Sequence, residues 1–575
     1  MKVSDYIVAL LESKGVTSVF ELSGGMITHL LDSFWQRGKI RVVSMHHEQG
    51  AAFAADAFGR MTGIPGVALA TSGPGAINLL TGVGSCHFDS SPAVFITGQV
   101  NRHEQKGDRP IRQLGFQETD IVSMVQPVTK AAWRVKTAEE VPAVFERAFA
   151  LAMEGRPGPV LVDIPMDIQR AEISASVPVA GRVPVPASVA PDESFWKRLG
   201  GQMRAAQRPL ILVGGGIRSG LATGLLREFV TQAGIPVVHS LMGVDVLAYT
   251  HPLRVGMIGS YGNRWANWAV GMSDFLLVLG SRLDVRQTGS ETQSFKSGRV
   301  IVHVDCDVGE INNRVMGCEP IVSQLKDFLA AGLQRLTKFQ LTEQAGWLAE
   351  ISARRGEWPD EREIADVAGI NPNALMHAIS RVSQKAGAYV VDVGQHQMWA
   401  AQSLELTDRQ RFLTSGGMGS MGFGLPAAVG AAFACPQQPL VLIAGDGGFQ
   451  CNIQELQTVV RNQLPLKIVV LNNRCHGMVR QFQQSYFDSR YQSTLWGYST
   501  PDFAKVAAAY GLESRQIQSS GEVAEALHWL WSVPQSPMLL EVSIESSANV
   551  YPKMAFGRPI TEMEPFFKPT EMEGT

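Results

Sequence analysis

The chain has 575 residues, 45% of them apolar and 18% charged, with a formal net charge of -3. That is too long for a single core, so two to four domains are expected. The near-neutral balance gives no electrostatic case for nucleic acid or an anionic membrane, and no apolar run approaches the roughly 20 residues that span a bilayer.

The N-terminal stretch, opening Met1-Lys2-Val3, reads as an amphipathic helix interrupted by charge and not as a signal peptide. Across residues 1–175, short apolar strands at 18–20, 41–44, 66–70, 93–96 and 159–163 alternate with helical periods, which predicts a parallel sheet covered on both faces. Residues 176–191 contain four prolines and no helical period, the composition of an extended linker. A smaller α/β unit is expected over 192–335, with strands at 209–213, 275–279 and 300–304. A charged, helix-prone connector covers 336–368. Residues 369–545 repeat the first architecture, with strands near 388–393, 440–444, 467–471 and 538–543. The tail, 546–575, carries the pair Phe566-Phe567 and is expected to drape over a surface. Cysteines 86, 306, 318, 435, 451 and 475 are scattered without CxxC or metal-ligand spacing, which fits reduced thiols in a cytoplasmic protein.

Two strand ends carry the strongest chemical signal. The run 439–444 leads into Gly445-Asp446-Gly447, and the run 466–471 ends in Asn472-Asn473. In a parallel sheet both lie at the carboxyl edge, where α/β proteins bind ligands. Each alone is ordinary turn chemistry. Together they offer a carboxylate and a carboxamide, the oxygen ligands that suit Mg²⁺ holding phosphate oxygens. Glycines let the backbone approach a diphosphate, and a helix over 453–462 would favour the anion. Glu48, at a helix start after the strand 41–44, is by itself explained by the helix dipole. The segment Thr71-Ser72-Gly73-Pro74-Gly75 is open to reading as a plain tight turn or as a pocket wall. The glycine-rich stretch 414–428 is a poor choice for a purely structural element.

Taken in order, "HEQGAAFAADAFGR" (47–60), "TSGPGA" (71–76), "GRPGPVLVDIP" (155–165), "VGQHQMWAAQ" (393–402), "TSGGMGSMGFGLPAA" (414–428) and "PDFAKVAAAYG" (501–511) resemble the acetolactate synthase (acetohydroxyacid synthase) large subunit and related 2-oxoacid carboligases. The resemblance covers the chain apart from its tail. It implies an α/β fold of three doubly wound parallel-sheet domains: pyrimidine-binding (1–175), central FAD-binding-like (192–335) and diphosphate-binding (369–545). It further implies thiamine diphosphate and Mg²⁺ as cofactors. Glu48 would hydrogen-bond N1′ of the aminopyrimidine, with Gln117 and the backbone at Gly25 orienting oxyanions. Met421 would wedge the cofactor into a bent V, a proximity effect. Cofactor contacts carry over to Gly394, Gln395, His396, Gly419, Gly445, Asp446, Gly447, Gly448, Asn473, Cys475, His476, Gly477 and Met478. The metal ligands would be Asp446, Asn473 and the main-chain carbonyl of Cys475.

In the middle segment the resemblance implies FAD in a structural role, held by Arg156, Gly214, Gly215, Gly216, Ser240, Leu241, Arg282, Asp284, Arg286, Asp305 and Asn312. Active centres in the family form between two subunits, so a homodimer or homotetramer is expected; the sequence identifies no regulatory subunit. Departures fall on the acceptor side. Met166 replaces the family's lysine, Phe482 its tryptophan, and Ser260-Tyr261 its Met-His pair, while Glu21-Leu22-Ser23-Gly24-Gly25 stands where the family reads GYPGG. Met166, Met478 and Phe482 are therefore the expected acceptor pocket. Three readings stay open: acetolactate formation from two pyruvates, transfer of the acetaldehyde unit to a ketone such as a keto-sugar nucleotide, and a catalytically silent structural homologue.

Overall fold

The computed structural model describes residues 1–177, 191–341 and 343–572; most of the expected linker 176–191 lies outside them. Three six-stranded sheets, each parallel throughout, organise the chain. The first holds β1 (Ser18–Leu22), β2 (Arg41–Ser44), β3 (Gly66–Ala70), β4 (Ala93–Gln99), β5 (Ala131–Arg134) and β6 (Pro159–Pro165). The second holds β7 (Pro209–Val213), β8 (Val237–His239), β9 (Arg254–Met257), β10 (Phe275–Leu279), β11 (Val300–Asp305) and β12 (Glu319–Val322). The third holds β13 (Ala388–Val391), β14 (Arg411–Leu413), β15 (Leu440–Gly445), β16 (Leu466–Asn472), β17 (Glu513–Ile517) and β18 (Met538–Ser543).

The first and third sheets share one topology, β2-β1-β3-β4-β6-β5 and β14-β13-β15-β16-β18-β17. The second runs β12-β11-β10-β7-β8-β9, the strand order of dinucleotide-binding folds, with its direction of winding reversing between β7 and β10. Central strands such as β3, β4, β15 and β16 are buried along their whole length, as helices on both faces of a parallel sheet require.

One apolar core runs from the first domain into the third. Its seam is the helix Glu48–Thr62 against the helix Gly424–Ala434. Both are rich in alanine and glycine, so their backbones approach closely. A Cβ on Gly430 would stand 2.0 Å from the carbonyl of Ala54, and Phe53 meets Phe423 edge-on with ring centroids 5.5 Å apart. The seam fixes two sheet edges in one frame. The tail folds back as a short antiparallel pair, Lys553–Met554 with Met563–Glu564. Buried Arg264 holds it, bonding Glu363 at 2.7 Å and the carbonyls of Met563 and Glu564. No helix among the described residues is long and apolar enough to cross a membrane.

Candidate active site

The register Gly445↔Leu471 sets the ends of β15 and β16 side by side, so the carboxylate of Asp446 and the carboxamide of Asn473 share one corner. Asp446 opens the helix Asp446–Cys451. Its Oδ1 accepts the Gly447 amide at 2.9 Å, while its Oδ2 is buried without a hydrogen-bond partner. Burial pushes this carboxyl up to about 7, against the backbone amides of Gly447, Arg474 and Cys475 that favour its charged form. Asn473 donates to Gln395 Oε1 at 2.9 Å and accepts a long 3.3 Å bond from the Cys475 amide. Arg474 turns the chain here with φ of 54°.

His396 lies across the strand ends. A Cβ on Gly445 would come 2.7 Å from its ring, which is why the strand must end in glycine. Burial drives its pKa down to about 3. The ring is therefore neutral, and its Nε2 accepts the Gly445 amide at 3.2 Å. Met421 sits at the end of a loop held from two domains. The Gly422 amide donates to buried Asp392 at 3.1 Å, and Arg60 of the first domain donates to the Thr414 carbonyl at 2.7 Å. Gly419 supplies a left-handed turn in that loop, with φ of 69°.

These groups surround a cavity of about 380 Å³. Gly394, Gln395, His396, Met421, Gly445, Asp446, Gly447, Gly448, Asn473, Cys475, His476, Gly477 and Met478 all line it. Gly419, Met166 and Phe482 do not. Phe482 lies against Tyr486, centroids 4.8 Å apart, on the helix that Met478 helps to open. Sequence reasoning missed the opposite wall, Gln492, Ser493 and Thr494. That loop has no periodic signal and is placed by tertiary bonds, His476 amide to Thr494 carbonyl at 3.0 Å and Gln483 to the Gln492 carbonyl at 3.0 Å.

A second cluster forms at the carboxyl edge of the first sheet. Glu48 begins its helix after the cap His47, whose side chain accepts the Gln49 amide. Glu48 is 6% exposed, and its carboxylate accepts from Asn78 Nδ2 at 3.0 Å. The turn after β3 gathers its neighbours. A Cβ on Gly75 would stand 3.1 Å from Glu48 Oε1, one on Gly73 would meet Gln117 at 2.9 Å, and one on Gly24 would meet Thr71 at 2.4 Å. Around Gly25 the space is open. Glu48, Gln117 and Gly25 thus belong together, and none of them lines the Asp446 cavity of the same chain.

The middle-domain residues lie along the carboxyl edge of the second sheet. Gly214, Gly215 and Gly216 follow β7, Ser240 and Leu241 follow β8, and Arg282, Asp284 and Arg286 follow β10. Asp305 ends β11. The glycine loop and the arginine loop flank the winding reversal. Gly214 and Gly216 also let this loop lie against Gly280, whose carbonyl a Cβ on Gly214 would meet at 2.2 Å. Arg156 crosses from the first domain, donating to Ser90 Oγ at 2.7 Å and pairing with Glu310. Asp284 accepts from the Arg286 amide at 2.9 Å. Asn312 adopts φ of 56° and bridges both main-chain groups of Cys318. Among the described residues, no group of three or more His, Cys, Asp or Glu side chains could hold a metal.

Comparison with known proteins gives this geometry a family. Residues 1–124 match the N-terminal TPP binding domain of thiamine pyrophosphate enzymes, 197–331 their central domain and 392–542 their C-terminal TPP binding domain. The acetolactate synthase isozyme 2 large subunit of Escherichia coli (strain K12) is 37% identical over 566 residues, covering 98% of this chain and 99% of that protein. The acetolactate synthase large subunit of Cyanidium caldarium is 35% identical, with 97% and 95% covered. A probable acetolactate synthase large subunit of Methanocaldococcus jannaschii is 36% identical, with 98% and 95% covered. The chain belongs to the thiamine-diphosphate-dependent enzymes, in the acetolactate synthase large-subunit family of decarboxylating carboligases.

Proposed function

We propose that this protein joins two 2-oxoacids, releasing CO₂ from a pyruvate donor and bonding its two-carbon unit to the carbonyl of a second 2-oxoacid. The observation that carries the reading is the cavity built on Asp446 and Asn473, with the complementary Glu48 cluster on the same chain. The relatives named above are acetolactate synthases along their whole length, and the expected alternative of a keto-sugar acceptor has no support beside them. The silent-homologue reading falls with Glu48, Asp446 and Asn473 all in place.

Thiamine diphosphate, when bound, supplies the electron sink for decarboxylation. The chain does the rest. Asp446 and Asn473, with the Cys475 carbonyl, fit a Mg²⁺ that clamps the diphosphate: the unpartnered Asp446 Oδ2 needs a positive partner, and the third group is a main-chain oxygen. The glycines Gly445 and Gly447 keep the approach open. Glu48 would hold a proton at the aminopyrimidine of the cofactor, and Met421, on the cavity wall, would support it from below. Met478 and Val479 line the cavity with apolar surface, which keeps water from the reacting carbon and favours ligation over protonation. Gln117 and the Gly25 backbone orient a carbonyl oxygen. Because Glu48 lies outside the Asp446 cavity of its own chain, a second copy completes each centre, in a homodimer or a pair of dimers.

FAD fits the second sheet, whose strand order and glycine loop at the winding reversal are those of a dinucleotide site. Arg282, Asp284 and Arg286 would flank it there, with Arg156 reaching across. Joining two 2-oxoacids involves no net oxidation, so the flavin would be structural. The purified protein is expected to be yellow with a flavin spectrum; a colourless protein that takes up no added FAD overturns this assignment. For the reaction, mass spectrometry of products from ¹³C-labelled pyruvate should find acetolactate carrying carbon from both substrate molecules. Acetaldehyde as the only product would overturn the ligase reading.

A further inference from the structure

The stretch that follows the Asp446 helix grips the start of the Glu48 helix. Glu455 is fully buried, and its Oε1 accepts the His46 amide at 2.9 Å while its Oε2 accepts the Thr458 hydroxyl at 2.7 Å. The carboxylate comes so close that a Cβ on Gly50 would stand 2.8 Å from Oε1. Three residues earlier, Asn452, 2% exposed, donates to Gln49 Oε1 at 3.0 Å and to the Gly422 carbonyl, next to Met421, at 2.8 Å. Arg461 donates to the Ser44 carbonyl, and Arg41 reaches Asn462 at 2.9 Å. The third domain therefore holds the connection from β2 to Glu48 at residues 44, 46 and 49, on both sides of the carboxylate.

We propose that Glu455 and Asn452 are positioning residues, setting the backbone at His46 to Gln49 so that Glu48 is presented at fixed height and angle to the cofactor. The inference rests on the function proposed above, because it gives Glu48 its task. Inside the first domain the cap His47 satisfies only the Gln49 amide; the His46 amide depends on Glu455. Removing the buried Glu455 carboxylate takes away the acceptor that ties down the His46 amide and frees the turn to move, and a misplacement of about 1 Å near the chemistry can cost about 100-fold. One short stretch, beginning at Asp446 and ending at Asn462, thus ties the metal side of one centre to the proton-holding side of the neighbouring centre.

The test compares Glu455→Ala with Glu455→Gln, which keeps one oxygen for the His46 amide. In the cofactor-free protein, amide hydrogen exchange at residues 46–50 should rise at least about tenfold in Glu455→Ala and stay near wild type in Glu455→Gln. In the loaded enzyme, kcat should fall at least about tenfold in Glu455→Ala while KM and thiamine diphosphate affinity stay within about threefold. A folded Glu455→Ala protein with wild-type exchange and kcat overturns the proposal, as does a loss explained wholly by weaker cofactor binding. If Glu455→Ala does not fold, Asn452→Ala decides in the same two assays. A wild-type protein that shows no thiamine-dependent turnover refutes the proposed function separately, since amide exchange needs no cofactor.

Discussion

Glu48→Gln is expected to bind thiamine diphosphate and Mg²⁺ nearly as well as the wild type, yet to slow exchange of the cofactor's C2 proton by about 100- to 10,000-fold, the range of a lost acid–base contribution. The geometry supports the first half. Glutamine has the shape of glutamate, and its oxygen can keep accepting from Asn78 Nδ2, the present partner at 3.0 Å. The cap His47 and the tie at Glu455 do not depend on the charge. What glutamine cannot do is hold and release a proton at N1′, so the loss falls on kcat and not on affinity. Acid-quenched proton NMR of the bound cofactor in D₂O measures the rate directly. Exchange at the wild-type rate would remove Glu48 from its assigned role.

The legible parts of the fold were those written in mostly apolar runs of Val, Ile, Leu and Ala. Strands β3, β4, β10, β15 and β16 are buried throughout, and their runs announce themselves. The edge strand β17 reads Glu513-Ser514-Arg515-Gln516-Ile517 and is mostly exposed. It forms because β18 offers a free edge, a tertiary cause that no local pattern encodes. Strands β5, β8, β9, β12 and β14 escaped for a different reason: they are three or four residues each, too short for a local pattern to mark. The site divides likewise. Asp446 and Asn473 could be read because strand ends in a parallel sheet have a fixed address. The wall at Gln492–Thr494 could not, since its position is set by bonds to His476 and Gln483. Glu455 sits within the stretch 453–462, expected as a helix whose N-terminus favours the anion. The helix that opens at the site is instead Asp446–Cys451, and Glu455 ends a 3-10 turn, Ile453–Glu455. Its partner, a backbone amide over four hundred positions away, leaves no mark in the local sequence.

Asp446→Ala is expected to abolish Mg²⁺-dependent binding of thiamine diphosphate, by more than the 10- to 100-fold that losing an outer partner of a metal ligand usually costs. The methyl group removes the one carboxylate in the cavity and leaves Asn473 and a carbonyl, too little charge to hold the cation against water. Isothermal titration with and without Mg²⁺ reads the loss; retained affinity would move the metal elsewhere. Its larger use is in combination with Glu48→Gln. Each variant alone should be inactive. In a two-fold symmetric dimer whose centres each take Glu48 from one chain and Asp446 from the other, a mixed pair has one centre with both lesions and one with neither. Random assortment of equal amounts should therefore restore about a quarter of wild-type activity. If each centre were built within one chain, every centre in the mixture would carry a lesion and nothing would return. The separation of Glu48 from the Asp446 cavity argues for restoration.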